Sequence, residues 1–175
     1  MVSIILNEDH LSGALSSALE SCRHRLFIAT ADVKNVHLPR GDGGDAESIL
    51  EVFEHLAKRR VEIRLLHSGI PSGPLLESMK EGLPANLTMR RCPRLHAKAI
   101  IADGRWMYLG SANLTGAGLG AKSPQRRNFE AGICTDEPAL IDAVTDMLES
   151  IWNGGRCGEC ARKRHCPVPL EEPAF

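Results

Sequence analysis

Apolar residues along this chain recur with two periods, and the order in which those periods alternate limits the fold more than any other feature. From His10 to Cys22, Leu11, Ala14, Leu15, Ala18 and Leu19 follow helical spacing. Arg25–Ala31 is a short apolar run that reads as a buried strand. Helical spacing returns over Ala46–Arg60, with Ile49, Leu50, Phe53 and Leu56 on one stripe, and a strand follows over Val61–Leu66. Gly73–Glu81 is a further helix stopped by Gly82, and Asn86–Arg91 a third strand. Strands then come in succession. Leu95–Ala102 and Trp106–Leu109 flank Asp103-Gly104, a dipeptide suited to the left-handed turn of a tight hairpin. Asn128–Thr135 alternates as a strand. Pro138–Trp152 is a helix with Pro in its first turn, expected to bury Leu140, Ile141, Val144, Met147, Leu148 and Ile151. This order predicts an α/β fold in which a mixed β-sheet is sandwiched by helices. Two Gly-rich stretches carry less: the R-G-D-G-G-D loop within His37–Asp45 reads as a linker. Gly116–Gly120 lacks the preceding strand and following Lys-Ser/Thr of a phosphate loop.

One segment of the hairpin carries chemistry. His96, Lys98 and Asp103 spell H-x-K-x4-D, and Gly110-Ser111-Ala112-Asn113 follows as G-S-x-N. An imidazole can attack phosphorus or shuttle a proton near neutral pH. A lysine ammonium is a point charge for phosphate oxygens, and Ser and Asn add neutral donors where charge grows. His96 and Lys98, two apart on a strand, share one face. Asp103 sits about 16 Å further along that strand, too far to share their site, so a turn or fold role is expected.

The spacing H-x-K-x4-D-x6-G-S-x-N resembles the phospholipase D superfamily, over roughly Arg25 to Trp152. The resemblance implies the same α/β fold and a phosphodiesterase that works through a phosphohistidine without catalytic metal. It also implies roles for individual residues. His96 is nucleophile and, in a partner copy, general acid. Lys98 and Asn113 hold phosphate oxygens, and Ser111 bonds near the phosphate or to the second histidine. Glu130, in Asn128-Phe129-Glu130-Ala131-Gly132, matches the acidic residue that orients the nucleophilic imidazole. His24, His37 and His55 all fail the spacing of a second motif, so a two-histidine reaction requires a homodimer with the active site on its two-fold axis. The family's short endonucleases are built this way.

Cys157-x2-Cys160-x5-Cys166-Pro167 is the second signal, because thiolates two residues apart can chelate one ion. The spacing also resembles the three-cysteine end of iron–sulfur clusters in some DNA-processing nucleases. Structural zinc and an iron–sulfur cluster both fit. Chain direction places Cys92, just after the third strand, on the active-site side where the last helix returns, and so makes it the expected fourth ligand. His165, adjacent to Cys166, would struggle to share one ion with good geometry. Cys22 and Cys134 are expected as buried structural thiols. The expected organisation is a catalytic domain over 1–153 and a basic cysteine-rich tail over 154–175 folded back on it.

A net charge of -1 gives no global field for nucleic acid, but cations cluster around the motif. Arg90, Arg91, Arg94, Lys122, Arg126, Arg127, Arg162, Lys163 and Arg164 are the expected contacts to a nucleic-acid backbone. Only 4% of residues are aromatic, so base stacking is scarce and contact falls mostly on the backbone. No apolar run approaches the ~20 residues of a membrane span, and Met1–Leu6 lacks the basic start and length of a secretory signal. A cytoplasmic address with no membrane contact is expected. The leading function is an endonuclease on DNA or RNA. The alternatives are a phospholipid-cleaving enzyme of the same superfamily and a non-catalytic nucleic-acid-binding module.

Overall fold

The computed structural model describes residues 1–39, 45–162 and 166. Lys163, Arg164 and His165, with most of the 37–45 linker, lie outside the described residues. The elements run β1 (Val2–Leu6), a π-helical turn (His10–Ser16) continuing into α1 (Ser17–Ser21), and β2 (Arg25–Thr30). A two-residue pair, β3 (His37–Leu38) with β4 (Glu47–Ser48), precedes α2 (Ile49–Lys58), β5 (Glu62–His67), α3 (Gly73–Lys80) and β6 (Leu87–Arg91). The remainder is β7 (Ala99–Ala102), β8 (Trp106–Gly110), β9 (Ala131–Thr135) and α4 (Pro138–Trp152).

Seven strands form one mixed sheet in the order β1-β9-β8-β7-β2-β5-β6. β2, β5 and β6 are parallel, and β7, β8, β9 and β1 join antiparallel. Strand alternation sends Leu26, Ile28, Ile63, Leu65 and Ile100 into one core, where α1, α2 and α3 pack. It sends Phe27, Ala29, Leu66 and Ile101 into a second core beneath Ile141, Leu148 and Trp152 of α4. The expected sheet sandwiched by helices is the observed architecture. Local signals agree with it: Ser48 and Glu51 cap α2 reciprocally, Ser48 N–H to Glu51 Oε2 at 2.7 Å and Glu51 N–H to Ser48 Oγ at 3.3 Å.

Three expectations need correction. β1 was not foreseen as a strand; it pairs with β9, Ile4 opposite Ile133. The motif strand begins at Ala99 rather than Leu95, because a turn closed by Leu95 N–H to Cys92 O (2.9 Å) takes up the preceding residues. Leu140 and Met147 are exposed at 43% and 40%, since the apolar stripe of α4 is wider than its contact with the sheet. The last turn of α4 is tightly held. Trp152 meets Phe27 edge-on at 5.5 Å, while the guanidinium carbons of Arg90 and Arg64 lie 4.8 and 5.4 Å from its ring centre. Beyond it, among the described residues, Arg162 Nη1 donates to Pro93 O at 2.9 Å. Among the described residues no helix is long and apolar enough to cross a membrane.

Candidate active site

The site residues meet because strand register brings them to the edge of the sheet where the parallel strands end. β7 runs antiparallel to β2, Ala29 opposite Ala99, so His96 and Lys98 enter β7 at the exit of β2. Gly110 N–H donates to Lys98 O at 3.1 Å, which sets Ser111 beside Lys98. Ser111 N–H in turn donates to Ala131 O at 3.0 Å, which brings Glu130 alongside.

Lys98 is buried, and its Nζ donates to the His96 carbonyl at 2.8 Å and lies 3.1 and 3.2 Å from the two ring nitrogens of exposed His96. Burial pushes the Lys98 ammonium below the usual lysine value, and the charge of Glu130 restores part of it. Ser111 Oγ donates to Glu130 Oε2, and Asn128 Nδ2 donates to Glu130 Oε1 at 3.0 Å. The carboxylate is thus shared by Ser111 and Asn128. The hydrogen-bonding partner of the His96 ring is Lys98, so Glu130 acts here on Ser111 and on the field at Lys98 rather than directly on the imidazole. Asn113 is fixed by its carbonyl end. Its Oδ1 accepts from Ala31 N–H at 3.0 Å, Asp32 N–H at 3.1 Å and Thr30 Oγ1 at 3.3 Å. The amide NH2 is therefore the end left to donate to a bound ligand.

Three supporting features were missed in the sequence. Thr30 ties β2 to the loop after the motif, accepting from Leu114 N–H at 3.0 Å. Its signal was a lone hydroxyl ending an apolar strand. Asn128, two residues before Glu130 on extended chain, could have been placed on the same side. Gly110 and Gly132 oppose each other across β8 and β9, and Tyr108 passes over both. A Cβ at Gly110 would stand 2.3 Å from Tyr108 Oη and 2.7 Å from Ala131 O, which is why this position is glycine.

Asp103 is absent from the site, as expected. It sits at the far end of β7 with φ 55°, next to Gly104 with φ 65°, in a tight turn closed by Arg105 N–H to Ala102 O at 3.0 Å. Its carboxylate accepts from the backbone N–H groups of Arg23, His24 and Arg25 at 2.8, 2.7 and 2.8 Å. Burial pushes this carboxyl up, but those donors outweigh burial and hold it below the usual carboxylate value.

Of the expected backbone-binding cations, Lys122, Arg94, Arg126 and Arg162 are exposed. Arg90 is already engaged: besides stacking on Trp152 it donates to Trp152 O at 2.7 Å. Arg91 donates to Ser68 O at 2.9 Å, and Arg127 to Lys122 O at 2.6 Å. Cys92, Cys157, Cys160 and Cys166 line one cavity of about 790 Å³, although no group of three metal-binding side chains among the described residues is placed to hold an ion as it stands. Cys22 and Cys134 are in the core, where burial pushes each thiol up to about 11.

Residues 15–152 match a family model described as "Cardiolipin synthase, PLD-like domain". No curated protein matches the chain. Among solved structures, NucT from Helicobacter pylori is similar, with a TM-score of 0.64 and 16% identity over 87% of this chain and 96% of its own. Nuc from Salmonella typhimurium, a phospholipase D family member, gives 0.64 and 17% over 87% and 95%. TrmBL2, an archaeal chromatin protein, gives 0.56 and 11% over 87% of this chain and 52% of its own. At these identities the likeness is one of fold.

Proposed function

The chain belongs to the cardiolipin synthase, PLD-like domain family, and on that premise we propose that it is a phosphodiesterase that cleaves nucleic acid through a phosphohistidine, completed by a second copy of itself. The observation that carries this reading is the fixed amide of Asn113. With its carbonyl end held by Ala31, Asp32 and Thr30, it offers a directed donor at the exit of β2, the end of the sheet at which His96 and Lys98 enter β7. Such preorganised donors stabilise charge that develops on a phosphorane's oxygens. In the first step an unprotonated ring nitrogen of His96 attacks phosphorus. The P–O bond to the leaving oxygen breaks, and that oxygen takes a proton from His96 of the second copy. In the second step the same second-copy imidazole removes a proton from water, whose oxygen displaces the His96 nitrogen from phosphorus. Lys98 and Asn113 hold the non-bridging oxygens throughout, and Glu130 keeps Ser111 aimed at the phosphate. The donors invoked all come from the protein, so the reaction is proposed to need no catalytic metal.

An apolar surface supports the second copy. Val2, Ile4 and Leu6 share one face of the edge strand β1 and are exposed at 54, 75 and 50%. Opposite Leu6 is Ala131, next to Glu130 of the site, and Phe129 is 97% exposed. Exposed apolar side chains along an edge strand whose Leu6 end reaches a site with one motif histidine favour self-association there. Exposed Lys122 and Arg126, in the segment between Asn113 and Glu130, supply charge for a polyphosphate backbone beyond the reacting phosphate.

The test is incubation of the wild type and His96→Ala with single- and double-stranded DNA, RNA and phospholipid vesicles, in EDTA. Cleavage of nucleic acid that is lost in the variant supports the proposal. Cleavage of phospholipid alone overturns the substrate, and cleavage that needs an added divalent cation overturns the metal-free mechanism.

A further inference from the structure

We propose that Cys92, Cys157, Cys160 and Cys166 hold a thiolate-bound metal centre, a zinc ion or an iron–sulfur cluster, which fastens the basic tail to the segment leading into His96. The four thiols reach one cavity from separate parts of the chain: Cys92 follows β6, Cys157 and Cys160 lie in the turns after α4, and Cys166 lies beyond them. Soft thiolates are the donors that zinc and iron–sulfur clusters select. The same cavity is lined by Arg91, Arg94, Arg156 and Arg162. Four thiolates around either centre leave a net negative charge, and guanidinium groups are suited to offset it. Arg94 Nη1 already points at Cys160 Sγ, 3.6 Å away.

The tail's burial pattern shows why an anchor other than apolar packing is needed. Among described residues from Asn153 to Arg162 none is buried; only Gly154, Cys157 and Cys160 are half-buried, as is Cys166 beyond them. A segment with no buried apolar side chain gains little from the hydrophobic effect. Its cysteines are nonetheless the side chains turned inward. As they stand, the thiols line the cavity wall without converging on a point. Binding must therefore draw the Cys157–Cys160 turn and Cys92 together, with each ligating thiol releasing its proton to solvent. Metal binding and ordering of the tail are then one coupled event. This site lies outside the phosphodiester chemistry and does not rest on that assignment.

The experiment uses the full chain purified anaerobically, with zinc, iron and acid-labile sulfide measured per chain and the visible spectrum recorded. Apoprotein is then reloaded with Zn²⁺ or with iron and sulfide. About one zinc per chain without colour identifies the ion, and iron with matching sulfide and a broad visible absorption identifies the cluster. Cys160→Ser and Cys92→Ser are each expected to lower metal content at least ~10-fold and to speed tryptic cleavage after Arg156 and Arg162 relative to metal-loaded wild type, while far-ultraviolet dichroism shows the sheet still folded. Less than about a tenth of an equivalent of either metal after reloading overturns the proposal. Undiminished metal in folded Cys92→Ser overturns the four-ligand arrangement.

Discussion

Replacing Asp103 separates the aspartate of the motif from its chemistry. The carboxylate accepts three backbone N–H groups where α1 turns into β2, from Arg23, His24 and Arg25 at 2.7–2.8 Å. Hydrogen bonds to a charged acceptor contribute about 1.5–3 kcal/mol each when well buried. Asp103 is half-buried, and water can reach the donors once the side chain is gone, so about 1 kcal/mol each is a better figure. Its φ of 55° adds about 1 kcal/mol for alanine, which lacks aspartate's tolerance of the left-handed region. Asp103→Ala is therefore expected to lose about 3–4 kcal/mol in urea unfolding followed by circular dichroism. Asp103→Asn keeps the shape and an acceptor and should lose about 1–2 kcal/mol. The pH dependence has a definite sign. The folded carboxyl lies below its unfolded value, so its stabilisation is complete above that value and disappears as pH falls through the folded one. The stability gap between wild type and Asp103→Asn should be constant from about pH 6 to 8 and shrink below about pH 4. The rate per folded molecule should stay within a few-fold of wild type. A variant within about 0.5 kcal/mol of wild type, or one that is folded but inactive, would refute this reasoning.

Gly110→Ala places a methyl 2.3 Å from Tyr108 Oη and 2.7 Å from the Ala131 carbonyl. It should unfold the β8–β9 rim or cost at least ~3 kcal/mol, read by the melting transition. Asn113→Asp sets a carboxylate oxygen where the donor amide stands; phosphodiester cleavage should fall at least ~100-fold with the dichroism spectrum unchanged. The double change Ile4→Asp with Phe129→Asp should give a folded monomer by sedimentation, with cleavage reduced at least ~100-fold. A monomer with wild-type turnover would remove the shared site.

Much of this was legible because two signals were strong at short range. Helical and strand periods placed α2, β5 and α4 to within a few residues, and Asp103-Gly104 fixed the hairpin. The hairpin also accounts for Ser111 following Gly110, whose N–H meets Lys98 O at 3.1 Å. What was not legible depended on partners distant in sequence. β1 is a strand because β9 lies beside it, and a five-residue run with four apolar side chains does not announce that. Glu130 was placed at the site, yet its bonds to Ser111 and Asn128 depend on how β9 enters the sheet, where Asn7 N–H holds Glu130 O at 2.9 Å. Arg90 looked like a free cation because nothing local shows Trp152 arriving beneath it from 62 residues away. Leu140 and Met147 completed a helical stripe that the sheet is too narrow to cover.

The most direct measurement is capture of the covalent intermediate. Wild type and His96→Ala are mixed in EDTA with a nucleic-acid substrate carrying ³²P at the scissile phosphate, quenched with alkali in single turnover, and digested for peptide mapping. The expected result is an acid-labile, alkali-stable label on the peptide holding His96, absent from the variant, whose cleavage is at least ~1000-fold slower. Wild-type cleavage without such a label, or a His96→Ala protein that cleaves at the wild-type rate, would contradict the assignment of His96 as nucleophile.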